Sequence, residues 1–164
     1  MLRAMPSLPD WGLRPAADHD VPALAALYAD TARCLGPWCY TPQQVNAWAS
    51  FGADTPAFRE YVLGADTWVI EQRGSRELLG FCGVDAQGEL RSFYVRADCT
   101  RQGLGSSMLQ HVLRQAELRG LVRLHVWATP FSRPVFERFG FVLEQVVREP
   151  YQGVPFDRLR MCRR

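Results

Sequence analysis

The stretch Thr100-Arg101-Gln102-Gly103-Leu104-Gly105-Ser106 has the residue types and spacing to do chemistry. Two glycines one residue apart let a ligand come against the backbone, and a helix starting at Leu104 leaves its first N–H groups without carbonyl partners. Such amides, at the positive end of the helix dipole, hold anions and phosphate groups in particular. Spacing then separates the phosphate-binding turns. A dinucleotide fingerprint needs a third glycine where this chain has Met108, and a P-loop needs a lysine after its last glycine in a chain that has no lysine at all.

The loop must be held by a strand before it and a helix after it. Leu90, Phe93, Tyr94 and Val95 form a β-branched and aromatic run. From Leu104 onward the apolar residues fall at 104, 108, 109, 112, 113 and 116, one face of a helix, with Gly120 as its stop. In this setting the loop resembles motif A of the GNAT superfamily of N-acetyltransferases, Q/R-x-x-G-x-G/A, with Gly103 and Gly105 in the glycine positions. Thr100 stands where the pattern prefers Gln or Arg, and Arg101 beside it is the candidate for the missing charge. The resemblance runs from Leu13-Arg14-Pro15-Ala16 to Met161 and includes Pro134 to Phe141, which looks like the family's closing helix and its Gly-Phe ending. It implies acetyl-CoA as co-substrate, with the pyrophosphate on the amides from Arg101, Gln102 and Gly103 through Leu104, Gly105 and Ser106. It also implies an oxyanion donor among the backbone amides of Phe93, Tyr94 and Val95. Many relatives carry a tyrosine on the closing helix to protonate the departing thiolate. Here Phe136 takes that place and is expected to pack against the CoA arm, leaving Ser132 or water as proton carrier.

Composition narrows the alternatives. The chain of 164 residues is long enough for one domain with a core and too short for two ordinary ones. A net charge of +2 gives no footprint for nucleic acid or a membrane surface, and the all-arginine basic set reads as the coding bias of a GC-rich bacterial genome. Five scattered cysteines without a signal peptide argue against a disulfide framework and for a cytoplasmic protein. No C-x-x-C or H-E-x-x-H occurs and the three histidines are far apart in sequence, so no metal site is expected. No apolar run is long enough to span a bilayer. Residues 1–10 are expected to be a loosely held tail and 11–164 the domain, a monomer or homodimer.

Read in order, the chain predicts a first edge strand at Leu13–Ala16 and a helix capped by Asp18 or Asp20. Thr41-Pro42-Gln43-Gln44 is a capping box, and Thr55-Pro56 starts another helix that ends near Gly64. Strands follow at 67–70, 78–84 and 90–95, joined by turns at Gly74-Ser75 and Gly88, then a parallel strand at 122–128 beyond the motif helix. A last hairpin, 141–148 with 154–161, turns at Tyr151-Gln152-Gly153. The fold class is thus α/β, a mixed and mostly antiparallel sheet with helices on both faces.

Transfer of an acetyl group to an amine needs a neutral nitrogen, donors for developing negative charge and a proton for the leaving sulfur. Candidate groups for the proton work are Glu71, Glu89, Ser92 and His125, none singled out by a motif. Tyr40 and Trp48 lie in an aromatic segment that reads either as core or as an acceptor wall, and Tyr151 is a candidate substrate contact at the hairpin tip. The expected function is acetyl-CoA-dependent acetylation of a primary amine, of a small molecule, by direct attack in a ternary complex. The alternatives are a non-catalytic acyl-CoA-binding module and acetylation of protein N-termini or lysines.

Overall fold

The computed structural model describes residues 9–164. The expected tail therefore lies almost wholly outside the described residues. Strands β1 (Trp11–Pro15), β2 (Asp66–Gln72), β3 (Leu78–Val84), β4 (Glu89–Val95), β5 (Leu124–Ala128), β6 (Val142–Tyr151) and β7 (Val154–Arg163) form one sheet in the order β1-β2-β3-β4-β5-β7-β6. All neighbours are antiparallel except β4 and β5. Helices α1 (Val21–Leu35), α2 (Pro42–Ala49) and α3 (Pro56–Leu63) precede β2, whereas α4 (Leu104–Leu118) links β4 to β5 and α5 (Arg133–Arg138) links β5 to β6. Two cores result. Leu24, Leu27 and Tyr28 of α1 pack with Phe58 and Val62 of α3 on one face, and α4 packs with Phe136 and Phe141 on the other.

The six apolar positions read as one face of α4 are all buried, the Leu, Met and Val side chains contributing about 1.5–3 kcal/mol each if fully removed from water and Ala116 less. Thr41 and Gln44 form the capping box of α2: the Gln44 amide donates to Thr41 Oγ1 at 3.2 Å, and the Thr41 amide to Gln44 Oε1 at 2.9 Å. The Gln44 side-chain amide also donates to the Pro155 carbonyl at 2.8 Å, fastening α2 to the β6–β7 hairpin. In that hairpin the turn is Gln152-Gly153, both with positive φ, so Tyr151 belongs to the end of β6. Some expectations need adjustment. β1 runs Trp11–Pro15 rather than 13–16, β5 starts at Leu124 rather than 122, Ser132 is the cap residue before α5, and Asp20 makes no side-chain cap to α1. Asp20 instead accepts two hydrogen bonds from Arg14, each 2.8 Å, and one from the Ala17 amide.

The feature that makes a site is the separation of β4 from β5. They are joined where the His125 amide donates to the Gly88 carbonyl at 2.9 Å, and their parallel register covers only Glu89 with His125 and Leu90 with Val126. Immediately afterwards β4 carries an extra residue. Val84 pairs with Leu90 but Gly83 pairs with Ser92, which leaves Arg91 as a bulge. A bulge bends its strand and ends regular pairing. Arg91 is tied down by Asp85 Oδ2 at 3.1 Å and by the Glu60 carbonyl at 3.0 Å, so the bend is held from outside the sheet.

Candidate active site

Between the diverging strands opens a cleft of about 740 Å³. One wall is β4 and the start of α4; the other is β5 and α5. Ligands of α/β sheets bind outside the carboxyl ends of parallel strands where the topology switches, and this is that place.

At the start of α4, Gly103 is the cap residue with φ of 79°, a conformation open to glycine at little strain. No side chain caps the helix, no acidic residue stands in its first turn, and the first intrahelical bond there is from the Ser107 amide to the Gly103 carbonyl. The contrast with α2 and α3 is informative, because those two are capped by the Thr41 and Thr55 hydroxyls. α4 alone of the three presents its free amides to a large cleft. Arg101, itself at φ of 62°, and Arg138 of α5 also line the cleft, and neither has an ion-pair partner among the described residues. Amides, dipole and two uncommitted cations suit a multiply charged phosphate ligand.

Gly105 is small for another reason than close approach of a phosphate. A Cβ there would point at β4, 3.2 Å from Phe93 Cζ and 3.5 Å from Val95 Cγ2, so glycine lets the helix start seat against the strand. Gly103, Gly105 and Ser106 line the cleft with Arg101, whereas Leu104 is buried in the core and Gln102 is exposed outside the lining.

Amides alternate in direction along a strand. Since the Arg96 amide donates to Leu79 of β3, those of Val95 and Phe93 point the other way, into the cleft. Phe136 lines the cleft too, 1% exposed and packed on Phe93 and Phe141 with ring centroids 5.2 and 5.4 Å away. Two lining residues carry buried hydroxyls without a protein partner among the described residues: Ser92, 2% exposed, and Thr31 of α1, 5% exposed. The sequence suggested Ser92. It did not suggest Thr31, whose only signal was a hydroxyl three residues after Tyr28 on the buried face of α1.

Beyond the bulge a second cavity of about 600 Å³ continues from the first, sharing Trp48, Leu90, Arg91, Tyr94, Trp127 and Thr129 with it. Tyr40, Trp48 and Tyr151 all line this second cavity, and Tyr40 and Trp48 also pack against the buried cluster of Ala47, Val154 and Phe156. The Trp48 indole N–H donates to the Tyr94 hydroxyl at 3.2 Å. Burial raises the Tyr94 and Tyr40 phenols above the ordinary tyrosine range and the Tyr28 and Tyr61 phenols well above it, keeping all four neutral.

The other proton-transfer candidates separate. Glu89 lines the second cavity, with both carboxylate oxygens 2.8 Å from Arg160 Nη1. Glu71 lies two strands away on β2, bound to Arg14 at 2.9 Å, and lines neither cavity. His125 is likewise outside both linings, although its register partner Glu89 lines the second cavity; Trp127, two residues on, lines both. His125, Glu144 and Cys162 instead bring ligand-type atoms within 4.8 Å of one another, a grouping invisible in the sequence. The Arg123 guanidinium already lies on Cys162 Sγ at 3.4 Å and on Glu144 at 3.2 Å. Ser132 lines the first cleft, its hydroxyl engaged with the Thr129 amide at 3.0 Å. Cys99 and Cys39 also line it, and burial raises both thiols above the ordinary cysteine value.

Known proteins share the sequence pattern and the fold of this chain. Residues 39–160 match the model of the acetyltransferase (GNAT) domain, and the chain belongs to that family. It is 25% identical over 142 residues to the uncharacterized N-acetyltransferase YafP of Escherichia coli strain K12, covering 87% of this chain and 88% of YafP. Among solved structures it resembles a GCN5-related N-acetyltransferase from Rhodopseudomonas palustris, with a TM-score of 0.88 and 22% identity over 98% of this chain and 99% of that one. It also resembles the PaiA N-acetyltransferase of Thermoplasma acidophilum in complex with coenzyme A, with a TM-score of 0.75 and 12% identity over 93% and 98% of the two chains. No helix among the described residues is long and apolar enough to cross a membrane.

Proposed function

We propose that the protein transfers an acetyl group from acetyl-CoA to a primary amine of a small molecule, by direct attack with both reactants bound. The observation that carries this reading is the pair of cavities meeting at the splay, one ending on the uncapped start of α4 and the other walled by aromatic rings. The first fits CoA by its donors: the α4 amides with Arg101 and Arg138 for phosphates, and Phe93, Val135 and Phe136 for an apolar arm. Bound there, acetyl-CoA supplies an activated thioester.

The chain's own residues then do the following. The Phe93 and Val95 amides, fixed by the strand and pointing into the cleft, are placed as donors for negative charge on the acetyl oxygen. Phe136 excludes water from the same wall. Ser92 and Thr31, whose hydroxyls lack protein partners, are placed to carry a proton or to hold the water that carries it. The two thiols in the cleft, Cys39 and Cys99, are raised by burial, which disfavours the thiolate needed for a covalent acetyl carrier and supports direct transfer. The aromatic walls of the second cavity support a small apolar acceptor over a protein lysine or N-terminus.

Calorimetric titration with CoA, followed by release of CoA thiol from acetyl-CoA with and without primary amines, tests the reading. Binding with amine-dependent thiol release is the expected result. Binding without it would identify a CoA-binding module, and absence of binding would remove the cleft assignment.

A further inference from the structure

We infer that the acceptor amine is carried on a flat aromatic or similarly apolar body, and that polyamines, amino sugars and peptide lysines are poor acceptors. This rests on reading the second cavity as the acceptor site. Nine of its eighteen lining residues are aromatic. Tyr40 stands edge-on to Trp48 and to Phe156, with centroids 5.7 and 5.5 Å apart and interplanar angles of 79° and 73°, giving the pocket mutually perpendicular walls. A planar guest meets such walls face-on and edge-on together, the arrangement aromatic pairs favour.

The charges of the lining point the same way. Each of its carboxylates is already matched: Glu89 by Arg160, Glu149 by Arg158 at 2.9 Å and Asp157 by Arg148 at 3.0 Å. Its arginines are matched as well, Arg91 by Asp85 and Arg158 by Glu149, and Arg158 also lies 4.3 Å over the Trp127 ring. Among the described lining residues no acid is left over to receive a second ammonium, and no cation is left over for an acceptor carboxylate. A polyamine entering here would bury unpaired charge, which is strongly disfavoured. A single amine on an apolar body loses only its own hydration, and that loss favours the neutral, nucleophilic form. The pocket thereby does part of the work of a base.

The test uses the full chain with acetyl-CoA and measures CoA-thiol release for phenethylamine, hexylamine, spermidine, glucosamine and a lysine-containing peptide. The expected result is a kcat/KM for phenethylamine at least about a hundredfold above spermidine, glucosamine and the peptide. Phe156→Leu should reduce the preference for phenethylamine over hexylamine several-fold while leaving KM for acetyl-CoA within twofold. Spermidine, glucosamine or peptide acetylated as well as phenethylamine would overturn the inference and leave acetyl transfer standing. If no amine releases thiol, the transfer reading fails instead. Calorimetry of phenethylamine and spermidine against the CoA-loaded protein then decides the inference: selective phenethylamine binding supports it, and equal or absent binding overturns it.

Discussion

At the scale of single residues, two of the four buried side-chain polar atoms without partners among the described residues, the hydroxyls of Thr31 and Ser92, belong to the cleft lining, whereas His111 Nε2 and His125 Nδ1 do not. Buried hydroxyls in folded proteins are nearly always hydrogen-bonded, and an orphan costs about 1–3 kcal/mol. Thr31 and Ser92 are both orphans and both line the cleft. Removing such a hydroxyl without changing shape relieves the folded protein but harms a reaction that uses it. Thr31→Val and Ser92→Ala should therefore leave the melting temperature unchanged or raised, with kcat lowered about tenfold or more, a barrier of about 1.4 kcal/mol. Lower stability with unchanged kcat would make them core groups. Phe136 supplies the opposite case. Phe136→Ala should destabilise by about 3–5 kcal/mol, because the ring fills space between Phe93 and Phe141. Phe136→Tyr should stay within about tenfold of parental turnover; a gain of several orders of magnitude would show that the missing phenol limits the parent. Residue types alone made His125 and Glu71 as attractive as Ser92. Only their strand positions separate them, and position relative to a splay is a tertiary fact.

Elements were the most legible level. The α4 periodicity, the Thr41 and Thr55 caps and the positive-φ glycine of each tight turn are local chemistry, and local chemistry decides those elements. What local reasoning misplaced was the purpose of Gly105, which serves packing on Phe93. The start of α4 has no side-chain cap, as in α1 and α5, but it alone of these carries the two glycines beside the cleft, and on the proposed function it holds the phosphates. Ser106 occupies the third helical position and lines the cleft. Ser106→Asp places a carboxylate where the dipole favours it, about 0.3–1 kcal/mol of stabilisation, and where the proposed function puts a phosphate. The melting temperature should rise by about 1–4 °C and KM for acetyl-CoA by about tenfold or more. An unchanged KM would mean that the helix start does not hold the co-substrate.

Across the whole molecule the sheet is two units, β1–β4 and β5–β7, joined by a ladder of two register pairs. The sequence indicated parallel strands around α4 but not their divergence, because Arg91 reads as an ordinary outward strand residue until its pairing with β3 is known. With so short a ladder, side chains must hold the halves in register. The Glu89–Arg160 pair spans them from β4 to β7 at 2.8 Å, with the side chains only 26% and 22% exposed. Arg160 also lies 4.8 Å over Trp127, which lines both cavities, so the clamp bears on the wall that the two cavities share. Hydrogen bonds to a charged group are worth about 1.5–3 kcal/mol when solvent is largely excluded. Glu89→Gln keeps the shape and one acceptor but removes the charge, and should cost about 1–2 kcal/mol, lowering the melting temperature by about 2–8 °C. The end of the cleft built on α4, where the proposed function puts the phosphates, has neither Glu89 nor Arg160 in its lining. KM for the acceptor should therefore rise several-fold while KM for acetyl-CoA changes less than twofold. Initial-rate measurements varying each reactant separate the two constants, and equal increases in both would show that the clamp serves stability alone.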